Sequence, residues 1–241
     1  MKALLIGVLI SLPVAAWAGN AEKHVEQWLA GKQTEETGLT LDVAPWVEDG
    51  AFVPIDLRLI GAVPPVSIRL LRSEEDDPRI ADIEVQRWAE PLRLSTRVRL
   101  PQTQAVIALA RDGRGRVWRT QQTVEVLASS CMTPMPASRP ANFGQIQAWA
   151  DGEQELEVRT LLRHPMETGR RPDQAGGVLP RHLPALLKIQ GEEGDLLRVE
   201  PFEGLSVNPY WRVLLPLNNP ALSIQWIDAD GRQFNAELPM N

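Results

Sequence analysis

From Val53 onward the chain is written in a period of two, and this constrains its fold more than any other feature. Val53, Ile55, Leu57 and Leu59 alternate with Pro54, Asp56 and Arg58. That spacing puts one set of side chains on each face of an extended strand. Strand-like runs follow at Ser67–Leu71, Ile80–Val85, Leu92–Arg99, Ala105–Arg111 and Val117–Leu127, with an earlier one at Leu39–Val43. A second series covers Glu155–Leu162, Leu186–Gln190, Leu196–Glu200, Tyr210–Leu215, Leu222–Ile227 and Gln233–Leu238. Short strands broken by Pro, Gly and acidic turns predict antiparallel sandwiches and an all-β fold. Asp112-Gly113 and Asp230-Gly231 each sit between two alternating runs, a strong hairpin signal.

Two segments depart from this grammar. Residues Asn20 to Gly31 read as a short helix, with Asn20 as cap, Val25, Trp28 and Leu29 on one face, and Gly31 as terminator. Between the two series, Ser129 to Pro140 holds Pro134, Pro136 and Pro140 and has no periodicity, which predicts an extended linker. The expected organisation is a leader at 1–18, a first domain at 19–128, a linker at 129–145 and a second domain at 146–241.

Met1-Lys2, an uncharged apolar stretch and Ala16-Trp17-Ala18 make a secretory signal, with cleavage expected after Ala18. Pro13 and the shortness of the apolar core argue against a membrane anchor. The expected location is the bacterial periplasm, with no membrane association once the leader is removed. Twenty-five Lys and Arg against 31 Asp and Glu give a net charge of −6 with no basic block, a poor match for nucleic acid.

One Cys and three His leave little chemistry to distribute. Cys131 alone excludes an internal disulfide framework and any multi-thiolate metal site. A lone Cys is ordinarily a small buried hydrophobe. Here it lies among Ser, Thr and Pro in an exported chain, which points instead to a reactive thiol or an intermolecular bridge. His164 reads as a turn-forming loop residue, and His24 and His182 show no ligand spacing. Asp228-Ala229-Asp230-Gly231 resembles the opening of a calcium loop but lacks the later carboxylate, so it reads as a hairpin. The eight Trp are expected in the core and at interfaces. No catalytic, cofactor-binding or metal-ligating set is expected, and the chain does not read as an autonomous enzyme.

His164-Pro165-Met166-Glu167-Thr168-Gly169, Pro180-Arg181-His182, Ser206-Val207-Asn208-Pro209-Tyr210 and Gln225-Trp226-Ile227-Asp228-Ala229-Asp230-Gly231 occur in the order and spacing of the SoxZ subunit of bacterial sulfur-oxidation carriers. Trp28, the stretch from Ala44-Pro45 to Val53-Pro54, and Asp112-Gly113 leading into a strand that ends before a Cys are similar to the partner subunit SoxY. The chain therefore resembles a SoxY–SoxZ fusion of the kind associated with quinoprotein dehydrogenases. The resemblance implies two immunoglobulin-like sandwiches that pack on each other within the chain, as SoxY and SoxZ subunits pair, and a covalent carrier role for Cys131. Here Ser129, Ser130, Met132 and Thr133 flank that Cys where the family has glycines, and the chain continues beyond it. It implies periplasmic redox or sulfur-metabolism enzymes as partners, or a quinoprotein dehydrogenase, and no cofactor. The competing expectation is a non-covalent accessory protein for such a dehydrogenase, with Cys131 incidental.

Overall fold

The computed structural model describes residues 19–128, 141–173, 176–217 and 221–239. Among the described residues a single helix, α1 (Asn20–Leu29), precedes the strands. Those of the first half are β1 (Leu39–Asp42), β2 (Trp46–Asp49), β3 (Val53–Leu59), β4 (Val66–Arg72), β5 (Arg79–Val85), β6 (Leu92–Val98), β7 (Gln104–Arg111) and β8 (Val117–Ala128). The second half supplies β9 (Ile146–Asp151), β10 (Leu156–Leu162), β11 (Pro184–Gly191), β12 (Gly194–Pro201), β13 (Tyr210–Leu215), β14 (Ala221–Asp228) and β15 (Gln233–Pro239). The alternation read from the sequence becomes the burial pattern: Val53, Ile55, Leu57 and Leu59 of β3 are all buried, and the residues between them are exposed.

The strands form two sheets in the orders β1-β3-β6-β13-β10-β9 and β15-β14-β11-β12-β5-β4-β7-β8-β2. Every neighbouring pair is antiparallel except β2 with β8. The all-β, immunoglobulin-like sandwich expected from the sequence is the fold observed. The junction differs from two closed sandwiches laid against each other, because both sheets run through from one half to the other. β5 pairs with β12 from Val85↔Leu197 to Ala81↔Pro201, and β6 pairs with β13 at Leu94↔Val213, Ser95↔Arg212 and Thr96↔Trp211. One cluster of buried apolar side chains accordingly contains residues of both halves, from Leu39 to Trp226.

The sheet orders are palindromic about this junction. β1-β3-β6 mirrors β9-β10-β13, and β8-β7-β4-β5 mirrors β15-β14-β11-β12, leaving β2 as an addition. An antiparallel contact between equivalent strands is what a two-fold relation requires. The halves are thus related as the subunits of a symmetric dimer would be, within one chain.

Two details depart from the sequence reading. The α1 N-cap is Gly19 rather than Asn20, whose side-chain amide instead donates to the Asp76 carbonyl. The C-cap is Ala30, left-handed at φ +50°, and Gly31 follows it at φ +74°. The apolar face of α1 is as expected: Ala21 and Val25 are buried against Leu71, Ile107 and Leu109, with Trp28 and Leu29 packed alongside.

A core shared across a strand-paired junction predicts one cooperative unfolding event. Trp211→Ala removes a side chain that is 1 % exposed on β13. It should lower the stability of the whole chain by about 3–5 kcal/mol, with far-UV circular dichroism and tryptophan fluorescence still reporting one coincident transition. Separate transitions for the two halves would contradict a shared core.

Candidate functional site

Cys131, the leader 1–18 and most of the expected linker lie outside the described residues, so the site is defined by what stands on either side of the cysteine. Upstream is the end of β8. Beyond Val124, which faces Gln104, β8 no longer pairs with β7 and is held by the short parallel strand β2 (Trp46↔Glu125, Val47↔Val126, Asp49↔Ala128). The Pro45 carbonyl accepts the Glu125 N–H at 2.9 Å, and Thr103 Oγ1 accepts the Val126 N–H at 3.0 Å. Gly50 lets the chain pass under Leu100, since a Cβ there would lie 1.8 Å from the Leu100 carbonyl oxygen. Val47 and Val126 pack toward the core. Trp46 and Leu127 are 55 % and 59 % exposed.

Downstream, the chain is fixed at Phe143. Its ring stacks on His182 at 5.7 Å, tilts against His164 at 5.2 Å and meets Phe234 edge-on at 5.6 Å. The Arg232 guanidinium lies 5.8 Å from the ring centre. Gly144 follows at φ +79°, and a Cβ there would fall 2.1 Å from the Phe234 ring. The Gly144 N–H donates to the Arg163 carbonyl at 2.8 Å, and the Arg163 N–H donates back to Gln145 at 2.9 Å.

Behind Phe143 the fold gathers three residues that sequence spacing kept apart. His164 follows β10, His182 precedes β11, and Asp228 ends β14. The Asp228 side chain is fully buried, with Oδ1 3.4 Å from His164 Nε2 and Oδ2 2.8 Å from His182 Nε2. Oδ1 also accepts the Ala229 N–H at 2.9 Å. His164 is itself held on three sides. Its N–H donates to Asn208 Oδ1 at 3.1 Å, its carbonyl accepts the Asn208 N–H at 2.9 Å, and its Nδ1 accepts the Met166 N–H at 3.0 Å. Burial pushes the Asp228 carboxyl up, but the two imidazoles and the Ala229 N–H outweigh it and hold the group below the usual carboxylate range.

The palindrome gives this carboxylate a counterpart. The Asp112 N–H donates to the Arg116 carbonyl and the Gly115 N–H to Asp112; Asp228, Gly231 and Arg232 repeat the pattern. The Gly113 N–H donates to Val63 as the Ala229 N–H does to Leu183. The counterpart of Asp112 is therefore Asp228, not the Asp230 of the matching Asp-Gly pair. Asp112 is buried too, and Arg116 neutralises it with contacts of 3.0 and 2.7 Å, beside the N–H groups of Val63, Arg114 and Arg116. In the second half Arg232 turns to Asp230 and to Phe143, and two imidazoles take the place of the guanidinium.

In sequence His164 reads as an ordinary turn residue and His182 shows no ligand spacing. The available signal was the repeated hairpin: aligning it on hydrogen bonds marks Asp228 as a buried carboxylate in need of a positive partner.

Two joined immunoglobulin-like half-sandwiches, with one cysteine between two anchored chain ends, define a two-part β-sandwich protein. Residues 25–131 match the family of the sulfur oxidation protein SoxY, a match that ends on Cys131, and residues 146–239 match the family of the sulphur oxidation protein SoxZ. The chain belongs to these families as a fused SoxY–SoxZ protein. No curated protein matches it. Among solved structures it is similar to the sulfur carrier protein SoxY from Chlorobium limicola f thiosulfatophilum, at 19 % identity and a TM-score of 0.38, covering 44 % of this chain and 94 % of that one. Bovine butyrophilin (12 %, TM-score 0.24, covering 86 % of this chain and 97 % of that one) and a marsupial T cell receptor (10 %, TM-score 0.27, 86 % and 62 %) are similar more distantly.

Two outcomes are expected here. Gly144→Ala combines a strained backbone with a clash on Phe234 and should cost about 1–3 kcal/mol, read as a lowered denaturation midpoint. Asp228→Asn should destabilise at neutral pH. Because the folded carboxyl is held below its unfolded value, its contribution is present above the unfolded pKa, about 3.9, and is lost as pH falls through the folded value. The stability gap between wild type and Asp228→Asn should therefore close on acidification; a gap independent of pH down to strongly acidic solution would contradict the ionised assignment.

Proposed function

We propose that this protein is a periplasmic carrier that holds a small sulfur-containing group covalently on Cys131 and presents it to partner enzymes. One observation carries the reading: the chain's only cysteine is the last residue of the SoxY match, between a strand clamped by β2 and the caged Phe143. The chemistry is thiol exchange. The Cys131 thiolate attacks a sulfur that bears a leaving thiolate, one S–S bond forms as another breaks, and no external oxidant is consumed. No Lys, Arg or His lies beside Cys131 in sequence, so the client enzyme is assigned the task of activating the thiol.

In this reading residues 1–18 are a cleaved leader, 19–128 the SoxY-like domain, 129–145 the carrier segment and 146–241 the SoxZ-like domain. The leader supports a periplasmic location, and no helix among the described residues is long and apolar enough to cross a membrane. The clients are assigned to sulfur-metabolism or redox enzymes of that compartment, a quinoprotein dehydrogenase among them. The exposed Trp46 and Leu127, at the base of the carrier segment, offer such a client apolar surface.

Intact-mass measurement of protein from the native periplasm, with wild type and Cys131→Ser compared, tests the proposal. The expected result is a mature N-terminus near Gly19, sulfur adducts on wild type alone, and stoichiometric labelling of the native protein by thiol reagents. Cys131→Ser should keep wild-type stability and lose the transfer activity. A cysteine that labels only in denaturant overturns the carrier role. Full pathway rate with Cys131→Ser does so as well, and favours a non-covalent accessory role.

A further inference from the structure

Buried polar atoms in native proteins are nearly always hydrogen-bonded, and an exception asks for a ligand or a reason. Two exceptions face each other here. His182 Nε2 and Asp228 Oδ2 are 2.8 Å apart, yet neither has a hydrogen-bond partner among the described residues, their own contact failing the geometry. The Asp228 side chain is fully buried, and although the His182 side chain is 20 % exposed, its Nε2 is buried with Asp228 Oδ2.

His164 completes a group of two imidazoles and a carboxylate, with the donor atoms within 4.8 Å of one another. Such a trio is a familiar first-row metal set, but the backbone assigns the third residue a different task. The Met166 N–H occupies the lone pair of His164 Nδ1, so in the neutral ring the proton sits on Nε2 and faces Asp228 Oδ1. A ring in that tautomer donates a hydrogen bond and has no lone pair on Nε2 for a cation. It can, however, hold a metal-binding carboxylate in place from behind, as partners of ligating carboxylates do.

We propose that His182 Nε2 and Asp228 Oδ2 form a divalent cation site, with His164 as the positioning residue for the carboxylate. Imidazole with carboxylate suits a borderline first-row ion such as Zn²⁺ or Ni²⁺. Bonds of about 2.0–2.1 Å place two donor atoms about 2.9 Å apart at right angles and about 3.3–3.4 Å apart at the tetrahedral angle, so the pair, 2.8 Å apart, opens by up to about half an ångström to admit the ion. The Phe143 ring covers both imidazoles. The comparison with the first half supports the same assignment. There the equivalent carboxylate takes a permanent cation, Arg116, whereas here Arg232 is turned toward Asp230 and the position facing Asp228 Oδ2 is held by a neutral-capable ligand. With two protein ligands the remaining positions belong to water or an exogenous donor. The site is independent of the carrier reading of Cys131.

The test is calorimetric titration of Zn²⁺ into untagged Cys131→Ser protein, the thiol being removed because it is itself a soft-metal ligand. The expected result is one saturable site per chain. His182→Asn should weaken it by at least about tenfold, His164→Asn by about tenfold to a hundredfold, and His24→Asn, in the other half, should leave it unchanged. Nitrogen-15 spectra of the imidazoles supply a readout that a merely structural role would not move: Zn²⁺ should shift His182 Nε2 while His164 keeps its Nε2 proton. The proposal is overturned by the absence of saturable binding, by affinity indifferent to His182→Asn, or by loss of the His164 Nε2 proton on binding.

Discussion

Two pairs of strands that meet across the middle of the molecule hold everything else in place. A strand left at a sheet edge presents unpaired N–H and C=O groups, and a half-sandwich on its own would present two such edges here, β5 with β6 or β12 with β13. Joining the halves closes all four at once. The closure is reinforced by side chains that reach over it. Thr96 Oγ1 donates to the Tyr210 carbonyl at 2.6 Å, and Arg212 bonds Ser95 Oγ at 2.9 Å and Asp56 Oδ1 at 2.8 Å. Farther along, Arg99 and Arg170 of opposite halves engage the Met166 carbonyl and the Glu75 carboxylate. Backbone pairing sets register and side-chain bonds oppose slippage, so the two anchors of the cysteine segment, β8 and Phe143, belong to one frame.

That junction was not legible in the sequence, although most of its strands were. Alternation reveals a strand because one face meets the core and the other meets water, and β3 shows this cleanly. It says nothing of which strand lies beside it, and β5 and β12 carry no mark of pairing with each other. The two strands that sequence reading missed are informative. β2 is four residues long, largely exposed and parallel to its partner β8, and β9 is an edge strand whose faces differ little in burial. Neither writes a period. Expectation for the tryptophans divides the same way: Trp118, Trp211 and Trp226 fill the core, whereas Trp46 and Trp149 are about half exposed on those two irregular strands.

The buried carboxylates show how a shared turn can diverge in its chemistry. Both hairpins need an acidic residue whose backbone closes the turn, and both bury its side chain. An unpaired buried charge would cost several kcal/mol, so each half must supply a positive or donor partner. The first half finds it four residues away in Arg116, a local solution visible in the sequence. The second half reaches 64 and 46 residues back, to His164 and His182, and frees Arg232 to lie over Phe143. Long-range solutions of this kind leave no spacing to read, which is why histidines that resemble loop residues prove to be central to the second half.

Fusion of the halves also bears on what holds them together. Fourteen residues separate Ala128 from Phe143, and closing a chain of that length costs roughly 2–2.5 kcal/mol in loop entropy. Separate subunits would instead have to meet the larger translational and rotational cost of association, on the order of 4–15 kcal/mol. Covalent linkage thus makes the strand-paired state less dependent on concentration without adding a contact to it. The linkage that removes this cost also ties the cysteine segment at both ends. On the proposed carrier reading, its reach toward a client is bounded by the contour of those fourteen residues, at most about 3.3–3.6 Å for each, shared between the outward and the returning limb. A client would therefore have to approach within reach of both anchors, the end of β8 and Phe143 beside β15, which lie toward opposite edges of the nine-stranded sheet. On that reading the geometry of docking is set by the anchors as much as by the thiol.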